Sequence, residues 1–118
     1  MKSFCEDLIS KPNAKEVREW LQSGRKRGFT LGILDSTEES LALVEKAYAA
    51  GAVRVTAVEI DEYPDMGGAQ NTGKLVIELP DAASKRAKVL AWASKIAEKQ
   101  GFDALTDTGE AYVFVMLD

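Results

Sequence analysis

Residues 29 to 39 read Phe-Thr-Leu-Gly-Ile-Leu-Asp-Ser-Thr-Glu-Glu, an apolar run that passes into a helix start within two residues. Phe29 to Leu34 predicts a strand. Ser36 and Glu39 have capping-box spacing, the hydroxyl reaching the amide near Glu39 and the carboxylate reaching back. Leu41, Val44, Ala47 and Tyr48 then fall on one stripe, and Gly51 stops the helix near Ala50. A strand feeding straight into a helix begins a strand-helix-strand unit, and Val53 to Ile60 reads as the second strand that completes it.

The same order follows once more. After a loop rich in Gly, Asp and Asn, Lys74 to Leu79 predicts a third strand. Pro80 and Asp81 open a long helix from Ala82 to about Gln100, with Asp81 as cap and Gly101 as stop. A short extended piece, Asp103 to Thr106, a turn at Asp107 to Gly109 and a last strand from Ala111 to Leu117 end the chain. With right-handed crossovers this order predicts an α+β fold of the ferredoxin-like class, a βαββαβ sandwich whose antiparallel four-stranded sheet runs 4-1-3-2 in space, with both helices on one face. The expectation is a single domain over residues 1 to 118, a core from 29 to 118 preceded by a helical extension from 1 to 28. In that extension Ser3 and Glu6 open one short helix that closes at Lys11-Pro12-Asn13. A second runs from about Ala14 to Ser23, capped by Asn13 with Glu16, carrying Val17, Trp20 and Leu21 on one face and ending at a left-handed Gly24.

The last strand is apolar on both faces, with Tyr112, Phe114 and Met116 on one and Val113, Val115 and Leu117 on the other. Such strands are covered on both sides. Two core helices cover one face, so either the N-terminal helices or a second copy covers the other, and a homo-oligomer is expected.

Composition narrows the function classes. At 46% hydrophobic and 29% charged the chain is an ordinary globular one. It has no run near the roughly 20 apolar residues that span a bilayer, and acids stand where a signal peptide would be apolar. The expected compartment is the cytoplasm, with no membrane partner. Histidine is absent and Cys5 is the sole cysteine, which removes imidazole ligands, Ser-His and Cys-His dyads and internal disulfides. The net charge of -4 opposes nucleic-acid backbones as partners.

Gly68-Ala-Gln-Asn-Thr-Gly-Lys74 matches the glycine and lysine positions of a nucleotide-binding P-loop. That loop works by feeding a helix N-terminus and supplying a hydroxyl for magnesium. Here Leu75 follows the lysine and the next residues alternate as a strand, so the match carries no nucleotide chemistry and no cofactor is expected. Its glycines and Asn71 suit the positive φ angles of a long hairpin connection. The expected sheet nevertheless gathers this loop with other polar loop ends at one edge, where binding residues collect. Asp61, Asp65, Asn71 and Lys74 are the candidate ligand-binding residues. The carboxylates from Glu59 to Asp65 lack calcium-loop spacing and read as a solvated acidic edge, so no metal site is expected. The alternative is a small enzyme acting on a small molecule, either metal-assisted through Asp35, Asp61 and Asp65 or using Asp35 with Asp61 or Asp107 as an acid-base pair. No spacing selects a catalytic residue.

The long helix supplies a second candidate surface. Lys85, Lys88, Trp92, Lys95 and Lys99 lie on one stripe. Trp92 there either closes the margin of the core beneath lysine stems or forms part of a contact site for an acidic partner or second subunit. Lys88, Trp92 and Lys95 are the partner-contact candidates. The basic run 25 to 27 reads as a solvated link. No cysteine cluster or aromatic ribonucleoprotein signature ties the chain to a family. The function expected from these features is a non-enzymatic ligand- or protein-binding module that self-associates.

Overall fold

The computed structural model describes residues 3 to 24 and 27 to 117, so Arg25 and Lys26 of the basic run lie outside the described residues. These form helices α1 (Phe4–Ile9), α2 (Val17–Ser23), α3 (Thr37–Ala50) and α4 (Ala83–Lys99). The strands are β1 (Lys15–Glu16), β2 (Thr30–Leu31), β3 (Arg54–Ala57), β4 (Asp61–Tyr63), β5 (Ala69–Thr72), β6 (Lys74–Glu78) and β7 (Tyr112–Met116). The fold is mixed α+β with a four-stranded antiparallel sheet, but its order is β1-β3-β6-β7. This differs from the 4-1-3-2 order of the expected ferredoxin-like plan.

Two features produce the difference. The expected first strand, Phe29 to Leu34, shrinks to Thr30–Leu31 and pairs in parallel with β5, in a separate sheet of order β2-β5-β4. Gly32 breaks it with φ at 51°, and Ile33 beyond it is 78% exposed. A side chain at Gly32 would also stand 2.8 Å from Leu117 Cβ. The glycine inside the apolar run thus marks a turn and a close approach. The second cause lies after α4. That helix returns the chain to the Lys74 end of β6, where Gln100 Nε2 donates to the Leu117 carbonyl at 3.1 Å. Residues 101 to 111 then recross the sheet's length, held where Leu105 N–H donates to Ser94 Oγ (2.9 Å) and Leu79 N–H donates to the Ala111 carbonyl (2.8 Å). β7 therefore runs antiparallel beside β6, with Lys74 opposite Met116 and Glu78 opposite Tyr112.

The helix boundaries follow their caps. Ser3 accepts from Glu6 N–H at 3.2 Å and Ser36 from Glu39 N–H at 3.1 Å, as their spacing predicts. α2 starts at Val17 rather than Ala14, because Glu16 caps it through its own carboxylate (2.8 Å to Glu19 N–H) while Lys15 and Glu16 pair with β3. α4 is capped at Ala82 without a side-chain bond, so Asp81 does not take the role its position suggests. Gly24 ends α2 with φ at -109°, outside the left-handed region. It must be glycine for another reason, since a Cβ there would lie 2.0 Å from the Phe29 ring.

Residues 15 to 23 are built into the fold rather than appended to it. Val17, Trp20 and Leu21 join Val44 of α3, Val89 and Ala93 of α4, and the sheet residues Val55, Leu75, Ile77 and Val113 in one buried core. The opposite sheet face is covered in part by α1. Leu8 packs with Val58 and Val76, and Phe4 meets Phe114 edge-on at 5.1 Å. The last strand thus buries Val113 and Val115 in the main core, while Phe114 on its other face meets α1.

Candidate functional site

α3 and α4 lie side by side on the sheet, joined by the inward faces of Val44, Ala47, Val89 and Ala93. The alanine-rich composition of α4 favours helix over its whole length, and its three-four spacing sets one row of side chains facing α3. Where the two helices part, a groove of about 370 Å³ opens. Lys46 of α3 and Lys88, Lys95 and Lys99 of α4 ring it, with Leu43, Trp92 and Ile96 below. Lys85, the remaining lysine of the predicted stripe, packs its stem where Gly51 leaves room beside it.

The groove's lysines and its indole lack partners among the described residues. Among the described residues, none of its four ammonium groups pairs with a carboxylate; the ion pairs there belong to Arg18, Lys74 and Arg86. Trp92 is half-buried against the core, and its indole Nε1–H is buried without a hydrogen-bond acceptor. A buried donor left unpaired costs about 1 to 3 kcal/mol. Four positive charges on one groove of an acidic chain make a local field opposite in sign to that of the whole molecule.

Of the residues singled out from sequence, Lys88, Trp92 and Lys95 are thus brought together. Lys46 joins them through helix packing alone, which no linear pattern reveals. The other candidate set is dispersed. Asp61 and Asp65 are exposed on β4 and on the 3-10 turn Pro64–Met66. Asn71 stands opposite Asp61 across the ladder but spends its amide on Thr30 Oγ1 and the Gly32 carbonyl, each at 3.0 Å. It therefore straps β2 to β5. Its φ is not positive; among the described residues the non-glycine residue with positive φ is Glu59, whose carboxylate pairs with Lys74 at 3.1 Å. The glycine-rich string forms β5 and runs into β6 rather than a helix, as Leu75 and its successors imply.

The carboxylates considered for catalysis or metal binding do not gather. Among the described residues no group of three or more His, Cys, Asp or Glu side chains is placed to hold a metal ion. Asp35 is exposed, and its N–H donates to Glu39 Oε2 at 3.3 Å. Asp107 is held by Arg86 through two hydrogen bonds of 2.6 and 3.2 Å. That guanidinium and the Gly109 N–H lower its carboxyl to about 2. Arg86 also donates to the Pro80 and Glu110 carbonyls, so it pins the returning segment to α4. Nothing in the linear pattern distinguishes it from the lysines around it.

Among the described residues, no helix is long and apolar enough to cross a membrane. No family model, curated protein or solved structure matches the chain.

Proposed function

We propose that the chain is a non-enzymatic binding module that takes a small anionic ligand in the groove between α3 and α4. The observation that carries this reading is the buried, unpartnered indole N–H of Trp92 beneath four lysines with no carboxylate partner among the described residues. In this reading the lysines hold the anion, and Leu43 and Ile96 receive its apolar part. The indole N–H donates to an acceptor once a rim side chain moves aside. A groove of about 370 Å³ falls within the roughly 300 to 1,000 Å³ range of small-molecule sites.

Self-association is a secondary part of the proposal and now has narrower support. Of the two covers expected for the second sheet face, an N-terminal helix or a second copy, it is the helix α1 that packs there. What favours a second copy is the outer edge of β7, an uncharged five-residue strand paired on one side only. Sedimentation at micromolar concentration that finds monomer alone removes this part and leaves the groove untouched.

For the groove, the test uses a Trp20→Phe variant, so that fluorescence reports Trp92. Inorganic phosphate, tripolyphosphate and citrate are the probes. A saturable change with at least one of them, weakened by added salt and lost in Lys88→Gln/Lys95→Gln, is expected. No change with any probe, or a change that the double variant leaves intact, overturns the reading.

A further inference from the structure

On the opposite side of the sheet, α1 ends before the sheet does. Leu8 and Phe4 cover Val76 and Phe114, while the next row of side chains, Arg54, Glu78 and Tyr112, remains beyond the helix. The ladder sets these three directly across neighbouring strands, Arg54 opposite Glu78 and Glu78 opposite Tyr112. Thr56 lies two residues along β3 from Arg54, on the same face and opposite Val76. With Ile9 as part of its wall, this corner forms a half-open cavity of about 130 Å³.

Its chemistry is that of a matched pair left open. Opposite charges directly across a ladder normally draw together. Among the described residues, however, neither Arg54 nor Glu78 takes part in an ion pair, with each other or with any other group. Both line the cavity, together with the phenol of Tyr112 and with Thr56, which is 6% exposed. One permanent cation, one carboxylate and two hydroxyl-bearing side chains thus surround an apolar floor.

We propose that this cavity binds a small zwitterion, an α-amino acid of about the size of alanine. Its carboxylate is taken by the planar guanidinium of Arg54, which suits two-point recognition of a carboxylate. Its ammonium is taken by Glu78, and its short side chain rests on Val76 and Ile9. Size sets the limit. A cavity of about 150 Å³ holds benzene, with about six heavy atoms, and 130 Å³ accommodates about as many. An amino acid with an aromatic side chain is too large. A simple carboxylate or amine satisfies only one of the two charges and leaves the other as it was.

The test is calorimetric titration and thermal shift with L-alanine, glycine and serine at millimolar concentration, beside acetate, methylamine and L-phenylalanine. Ligand binding to the native state raises its stability. Saturable binding of at least one of the three small amino acids is expected, with binding at least tenfold weaker for acetate, methylamine and phenylalanine. Glu78→Gln and Arg54→Gln should each weaken it at least tenfold. Amide NMR on the unaltered chain should place the shifted resonances at Thr56, Val76 and Tyr112, which keeps the test decisive if a variant folds poorly. Absence of saturable binding by all three small amino acids overturns the proposal, as does acetate binding equal to that of alanine or shifts confined to other regions. Lys88→Gln/Lys95→Gln should leave alanine binding unchanged, and its loss there also counts against this cavity.

Discussion

Two grooves of this molecule have the same volume, about 370 Å³, and each has a tryptophan in its wall. In the first, Trp20 is 5% exposed, its indole N–H donates to Gln70 Oε1 at 2.8 Å and its ring stacks on Phe29 at 5.5 Å. The charges around it, Lys15, Glu16, Glu19 and Arg27, are of both signs. Glu16 is further engaged by Glu19 N–H and by the Tyr48 hydroxyl. In the second, Trp92 has no acceptor for its N–H and the rim charges are all lysines. Volume and an aromatic ring do not separate a packing joint from a binding surface. Satisfied polar atoms and balanced charge mark the first; an orphan donor under charge of one sign marks the second.

The sharpest way to break this comparison is to delete each ring. Trp20→Ala should cost about 3 to 5 kcal/mol of folding stability, the usual range for emptying a buried aromatic site, as read by urea unfolding. Trp92→Ala should cost clearly less, because its ring is half-buried and its N–H loses nothing. Equal losses would mean that both rings are packing elements and that the second groove has no separate purpose.

Alkaline pH probes the first groove's support. Burial, reinforced by the hydrogen bond to Glu16, pushes the Tyr48 phenol up to about 12. Its neutral form donates to Glu16 and accepts from Val55 N–H at 2.9 Å. Because the native state holds that proton more tightly than the unfolded chain, its contribution is fully present below about pH 10. It is lost as pH rises towards 12, by on the order of 2 kcal/mol. An absorbance titration should find a tyrosinate component near pH 12 that disappears in Tyr48→Phe. A titration unchanged by that substitution would remove the phenol from the network.

How far such features can be read in advance depends on whether their cause is local. The caps at Ser3 and Ser36 and the lysine and tryptophan stripe of α4 arise within a turn or two of helix, and the structure reproduces them. The failure of the P-loop match is equally local, since Leu75 and the strand after it suffice. The sheet order is not local. It turns on Gly32 meeting Leu117, eighty-five positions along the chain, and on Arg86 fastening Asp107 so that residues 101 to 111 recross the sheet. Gly32 was the visible hint, a glycine inside an apolar run. Lys46 and Gln70 carry no such hint, because each acquires its role only when separate elements pack.

A gentler exchange keeps the ring and isolates the indole N–H in the same comparison. Trp20→Phe keeps a ring but strands Gln70 Oε1, and should cost about 1 kcal/mol for the lost hydrogen bond beyond any loss of packing. Trp92→Phe removes a donor that had no partner, so its gain offsets lost ring contacts and the net change should stay within about 1 kcal/mol. Thermal unfolding of the two variants under one set of conditions decides the point, and a larger loss at Trp92 than at Trp20 would contradict the contrast drawn between them.

The smallest expected effect on stability is also the most specific. Lys88 and Lys95 have no ion-pair partner among the described residues, so Lys88→Gln/Lys95→Gln breaks no ion pair there and eases repulsion along the rim. Its folding stability should remain within about 0.5 kcal/mol of the parent, as for other surface changes, while the Trp92 fluorescence response to polyanions is lost. Because exposed charge is screened by salt, the parent's response should also weaken as ionic strength rises, whereas the double variant should vary little. If the double variant unfolds at markedly lower denaturant instead, the lysine stems are holding α3 against α4, and the second groove joins the first as a packing joint.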